Sequence, residues 1–191
     1  TIASHVVQTT DDDITTLSEN KVSVVNTPIC EMKIADGIFR GKEMLEAGII
    51  VGLGTDGALW NNDNDIFREM KATLLIQTAK NGIRSINKKD ILDMATINGA
   101  KIFGKDEEFG TIKIGKSADF ILLNIDQPHL TPYNLDGHHE NITSMLTSQV
   151  TGRDVTDVFI NGERVVNNRK ITTIDVDFIM EKVQKVHDKI I

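Results

Sequence analysis

A chain of 191 residues is long enough for one large domain or two small ones. It is 40% hydrophobic and 26% charged, the balance of a soluble globular protein, and a net charge of −7 with a pI near 5.2 argues against nucleic acid and anionic membrane surfaces as partners. One cysteine, Cys30, excludes an internal disulfide framework and fits a reducing cytosol, and no apolar run reaches the roughly 18 residues needed to span a bilayer.

The chain opens at Thr1, without an initiator Met, on a strand-like stretch, "TIASHV" (1–6). This raises the expectation that it is the C-terminal part of a larger protein. "DDDITTLSEN" (11–20) predicts a helix with acidic residues in its first turn, where the helix dipole favours them. "KVSVVN" (21–26) is a second strand, rich in β-branched residues. "RGKEMLEAG" (40–48) is a short helix stopped by Gly48, and "IIVGLGT" (49–55) a third strand. A long helix is predicted over 64–82, with Ile66, Met70, Leu74 and Ala79 at helical spacing, and a further helical stretch over 87–104, broken at Asn98-Gly99.

Alternation of strand and helix at these lengths signals βα units and a parallel sheet. The strand ends near 5, 26 and 55 are spaced much as in a barrel of eight units at about 31 residues each. Three units do not close such a barrel. Composition changes after residue 106. "EEFGTIKIGKSADFILLNID" (107–126) holds two Gly-centred turns and a strand at 120–123. "VTDVFINGERVVNNRKITT" (155–173) reads as a hairpin turning at Asn161-Gly162, the strongest short hairpin signal. The last stretch, 174–191, predicts a terminal helix with Ile179, Val183 and Val186 on one face; 126–141 reads as irregular.

Two residues stand out chemically. Asp56 is the first acid after the third strand, between Gly54 and Gly57, and chemistry in parallel sheets gathers at the C-terminal strand ends. A turn or helix-cap aspartate is the plainer reading. His5 holds the matching place on the first strand, where a histidine satisfied by its neighbours is the plainer reading. Together, an imidazole and a carboxylate at one mouth can bind a divalent metal and move a proton.

The stretches at 4–38, 52–71 ("GLGTDGALWNNDNDIFREMK") and 110–126 ("GTIKIGKSADFILLNID"), taken in order, resemble the metal-dependent amidohydrolase superfamily, in its S-adenosylhomocysteine, methylthioadenosine and 5′-deoxyadenosine deaminase and chlorohydrolase branch. The resemblance implies an α/β fold, the C-terminal part of a (β/α)8 TIM-type barrel plus part of a small β-sandwich. Residues 1–106 would be the last three βα units, 107–173 the sandwich share with its connecting segment, and 174–191 the terminal helix. It implies that Asp56 is a metal ligand that also takes a proton from the attacking water. His5 polarises the substrate and stabilises the tetrahedral intermediate, and Asn61 and Asn62 match the polar pair that helps shape the substrate pocket; Trp60 beside them has two readings, stacking on a base or packing in the barrel rim. One divalent metal is implied, Zn before Fe or Mn, with its remaining ligands absent from this chain.

Two features depart from that pattern. After the second strand the chain reads "NTPICEMKIADG", with Asn26 and Cys30-Glu31, where the family shows a His-Asn-Pro-like stretch. The family's His-x-His pair and a further His with a Glu three residues on are not found. "GHHEN" (137–141) is a poor substitute, and His187 near a helix end suits the dipole.

The expected activity is hydrolytic deamination of an adenosine-type nucleoside by the intact enzyme. Chlorohydrolase or guanine deaminase chemistry on another ring is an alternative, and so is a non-catalytic fragment or subunit-interaction module. Expected partners are a purine nucleoside and either a second copy or the missing N-terminal part.

Overall fold

The computed structural model describes residues 1–135 and 141–190; the His138-His139 pair lies outside them. Three parallel strands, β1 (Ile2–Ser4), β2 (Ser23–Asn26) and β3 (Val51–Leu53), form one sheet in the order β1-β2-β3. Each is shorter than the sequence predicts, because neighbouring residues are spent closing helices or leaving the sheet. His5 and Val6 turn into the left-handed region at φ 66° and 54°. Val22 N donates to Leu17 O, closing helix α1 (Asp11–Glu19), and Ile49 N donates to Met44 O, closing α3 (Gly41–Glu46). Gly48, at φ 76°, supplies the left-handed residue that this second closure needs.

Helix α1 starts where its acids predict, in a capping box formed by Thr10 and Asp13. Two short helices escape the sequence pattern: α2 (Pro28–Lys33) after β2 and α4 (Ala58–Asn61) after β3. The long helix α5 (Ile66–Asn81) buries Phe67, Glu69, Met70, Thr73 and Gln77. This face is polar in part, which is why the apolar spacing misplaced it: Ala79 is exposed. The next stretch is two helices, α6 (Lys88–Met94) and α7 (Ile97–Ile102). The break falls at Ala95-Thr96 rather than Asn98-Gly99. Thr96 leaves helical geometry at φ −133°, ψ −99°, while Asn98 donates from its side chain to Val51 O at 2.9 Å, docking α7 on β3.

The second sheet is antiparallel: β4 (Phe120–Leu123), β5 (Val155–Ile160), β6 (Glu163–Asn167) and β7 (Lys170–Ile171) in sequential order. Asn161 and Gly162 sit at φ 51° and 79°, the paired positive values of a type I′ hairpin turn. Phe120 and Phe159 stack across β4 and β5 with centroids 4.5 Å apart. Helix α8 (Ile142–Ser148) precedes β5 and packs against α5 and α6, so Met145, Leu130 and Val150 share one core with Val24, Val51, Met70, Ile91 and Met94. The terminal helix α9 (Val176–His187) forms as predicted and leaves Ile179, Val183 and Val186 exposed.

Asp65 adds a polar link between the two regions. Asp65 caps α5 through Phe67 N at 3.0 Å, and its other oxygen accepts Gly152 N at 2.8 Å, ahead of β5. Asp65→Ala should cost about 0.5–2 kcal/mol for the cap alone and more for the orphaned Gly152 N–H, read as a lower denaturation midpoint. In the antiparallel sheet the backbone N–H of Asn168, Thr156 and the Arg164 guanidinium hold Asp157 down to about 2 from an ordinary 3.8. A lowered folded-state value stabilises above the ordinary value and loses that effect as pH falls through the folded one. Acid titration of stability should therefore be shallower between about pH 4 and 2 in Asp157→Asn than in the parent.

Candidate active site at the strand ends

β1, β2 and β3 run parallel, so their C-terminal ends share one edge, and each delivers a polar group there. His5 follows β1; its backbone N–H donates to Val25 O at 2.9 Å, which fixes the residue despite its positive φ. Asn26 ends β2, and Thr27 leads into α2. Asp56 follows β3 at φ 60°. Its Oδ1 accepts the N–H of Gly57 at 2.6 Å and its Oδ2 accepts the thiol of Cys30 at 2.8 Å. The Nε2 of His5 lies 4.0 Å from Asp56 Oδ2. The predicted pair is thus brought together, both side chains about one-third exposed toward the edge.

Behind them stand two buried carboxylates. Glu31, on α2, is 1% exposed; its Oε2 accepts Asn26 Nδ2 at 2.6 Å and its Oε1 accepts Thr27 N at 2.9 Å. The hydroxyl of Thr27 lies 2.9 Å from His5 Nδ1 and 3.3 Å from Glu31 Oε1. Glu69, on α5, is 0% exposed; it accepts Ile29 N at 3.1 Å and Asn61 Nδ2 at 2.6 Å. Asn61 Nδ2 also donates to Thr55 O at 2.6 Å, holding the loop that carries Asp56.

Electrostatics separate these acids by role. Asp56 is held below the usual aspartate value, first by the Cys30 thiol, then by the Gly57 N–H and the nearby His5, so it is ionised at neutral pH. Burial pushes Glu31 and Glu69 upward against the hydrogen bonds they accept. Burial first and Asp56 second push the Cys30 thiol up to about 11, which makes it a proton donor to Asp56 and a poor nucleophile.

A family model described as the amidohydrolase family matches residues 1–165. The chain belongs to the amidohydrolase family. Over 186 residues it is 40% identical to a protein named 5-methylthioadenosine/S-adenosylhomocysteine deaminase from Thermoanaerobacter pseudethanolicus, covering 97% of this chain and 42% of that one. It is 34% identical over 191 residues to a 5′-deoxyadenosine deaminase from Methanosarcina acetivorans, covering 100% of this chain and 42% of the relative. A crystal structure of an adenosine deaminase from Xanthomonas campestris with bound zinc matches at a TM-score of 0.91 and 29% identity, over 99% of this chain and 42% of that one. The amidohydrolase chain therefore spans about two-fifths of the length of these relatives.

The remaining predicted residues fall into two environments. Asn61 is buried, at 7% exposure, with its amide nitrogen committed to Thr55 and Glu69. Asn62 is exposed at φ 67° and accepts Lys33 Nζ; Trp60, 52% exposed, projects from α4. Among the described residues no group of three or more His, Cys, Asp or Glu side chains is arranged to hold a metal ion. Sequence reasoning assigned no role to Thr27, Cys30, Glu31 or Glu69. Pro28 after Thr27 marks a helix start and was the available signal, although Glu31 lies one residue beyond the position of a capping-box acid.

Glu69→Ala should orphan the Ile29 and Asn61 donors at about 1–3 kcal/mol each, seen as a large drop in denaturation midpoint. Glu69→Gln, which keeps one acceptor, should lose less. Because a raised folded-state value stabilises most below the ordinary one and fades as pH rises through the shifted value, Glu69→Gln should also flatten the decline of stability on the alkaline side of the ordinary Glu range.

Proposed function

We propose that this amidohydrolase chain carries part of the active site of a hydrolytic deaminase acting on an adenosine-type nucleoside. The observation that carries the reading is the placement of an ionised Asp56 4.0 Å from His5 at the ends of two parallel strands. The names of relatives at 34–40% identity support the substrate class. In this reading residues 1–106 are the last three βα units of a TIM-type barrel, 107–173 belong to a β-sandwich with its connecting segment, and 174–191 form a terminal helix that meets a second copy or the rest of the enzyme.

Asp56 offers a hard oxygen donor suited to a divalent ion such as zinc. Among the described residues no further group is arranged with Asp56 to hold a metal, and in this reading the other ligands come from outside the chain. When bound, the metal lowers the pKa of a coordinated water to near neutrality. The chain's residues supply the rest. Asp56, kept ionised by Cys30 and Gly57, accepts a proton at Oδ2, the oxygen facing His5. His5 turns Nε2 toward the same space, where, once it carries a proton, it can donate to charge developing on the purine ring. In this reading Trp60 and Asn62 help form the substrate pocket, and Asn61, bonded to Thr55 O and Glu69, holds the loop that carries Asp56.

The intact enzyme should release ammonia from 5′-deoxyadenosine or methylthioadenosine, read by coupled ammonia assay and by the ultraviolet change at the purine ring. Asp56→Asn should lower kcat by about 10²–10⁴-fold. Turnover of a chlorotriazine or of guanine, with none of adenosine nucleosides, would replace the reading by its alternative. Stoichiometric zinc in the 191-residue chain alone would overturn the incomplete ligand set.

A further inference from the structure

The proposed chemistry turns Nε2 of His5 toward the reaction edge but does not say what fixes the proton on the ring. Three observations bear on this. His5 Nδ1 lies 2.9 Å from the Thr27 hydroxyl. That hydroxyl lies 3.3 Å from Glu31 Oε1, and the same carboxylate oxygen lies 3.6 Å from Nδ1. Nε2 points the other way, toward Asp56. Thr27 leads into α2, yet its side chain makes no capping bond, so its hydroxyl is free for this contact.

A hydroxyl has one proton to give. An ionised Glu31 accepts only, and it sits where Thr27 N and Asn26 Nδ2 already donate to it. The Thr27 proton therefore goes to Glu31, and the Thr27 oxygen lone pair faces His5. That lone pair requires an N–H at Nδ1. We propose that Glu31, acting through Thr27, holds the proton of His5 on Nδ1 and leaves Nε2 unprotonated at the reaction edge, where it takes up a proton and, as the imidazolium, gives it back. Thr27 and Glu31 are then positioning residues. The arrangement parallels the way a carboxylate fixes the tautomer and plane of an imidazole in other catalytic sites, here with a hydroxyl between them. The fixed backbone of His5, held at φ 66° by its N–H bond to Val25 O, keeps the ring within reach of this relay.

The role in turnover rests on the deaminase reading; the tautomer does not, which lets the two fail separately. The test uses the intact enzyme with ring-¹⁵N histidine, the His5 signals being those lost in His5→Gln. In the neutral ring, Nδ1 should show a protonated-type shift with Nε2 unprotonated. Thr27→Ser should keep that pattern and near-parent kcat. Thr27→Val, close to isosteric, should move the ring toward the Nε2–H form and lower kcat about 10–100-fold with KM changed less than about threefold. Glu31→Gln should do the same in milder form. An Nε2–H ring in the parent, or an unmoved tautomer in folded Thr27→Val, overturns the proposal. The expected tautomer pattern in an enzyme that deaminates no nucleoside would uphold it and sink the deaminase reading alone.

Discussion

Two buried carboxylates hold the strand-end edge in shape. Glu31 and Glu69 each lie among groups that must donate hydrogen bonds: the first N–H groups of α2, the Asn26 amide at the end of β2, and the Asn61 amide under the Asp56 loop. Burying a carboxylate without partners costs several kcal/mol, so each is tolerable only because every oxygen is engaged. The arrangement also works in reverse. Orphan donors at a helix start need acceptors, and α2, only six residues long with no side-chain cap of its own, takes one from within itself and one from α5. The position of α5 relative to β2 and β3 thus follows from polar satisfaction as much as from the apolar core.

The same principle explains why α5 defied its periodicity. Its buried face alternates Phe67 and Met70, which enter the core, with Glu69, Thr73 and Gln77, which enter hydrogen bonds. Gln77 donates to Phe39 O and Glu69 accepts from two neighbouring segments. A helix whose inner face is half polar packs less on hydrophobic area than on fixed donors and acceptors. Such a helix serves well as a strut behind a reaction edge, since its contacts admit one register.

Legibility in the sequence followed this division. Parallel strands, α1, the long helix, the Asn161-Gly162 hairpin and the terminal helix all carry local signals: β-branched runs, a capping box, a type I′ turn pair, an amphipathic stripe. Asp56 and His5 were legible because strand ends could be counted. What escaped has its cause in long-range pairing. Helices α2 and α4 are too short to show a period, and α8 takes its apolar contacts from α5 and α6, far away in sequence. Glu31 and Glu69 look like ordinary charged helix residues until the fold places their partners around them. The break after α6 was misread because Gly99 attracts attention, whereas Thr96 departs from helical geometry.

His5 and Asp56 share a further property that no pattern of residue types displays. Both sit at positive φ, 66° and 60°, although neither is glycine. Each such residue costs on the order of 1–3 kcal/mol and persists only where its surroundings over-determine it. For His5 the determinant is the bond to Val25 O; for Asp56 it is the pair of donors, Gly57 N–H and the Cys30 thiol, that grip its carboxylate. A strand that simply continued would send these side chains to alternate faces of the sheet. Turning the backbone at His5, directly after β1, and at Asp56, three residues after β3 ends, instead brings the two side chains together, with the Thr27 hydroxyl at the far nitrogen of the ring. The strain is stored in the two residues whose relative placement matters most. For Asp56 the donors that sustain the strain are also the ones that hold its carboxylate ionised, whereas at His5 the Val25 O bond holds the backbone and the Thr27 hydroxyl, a separate contact, meets the ring.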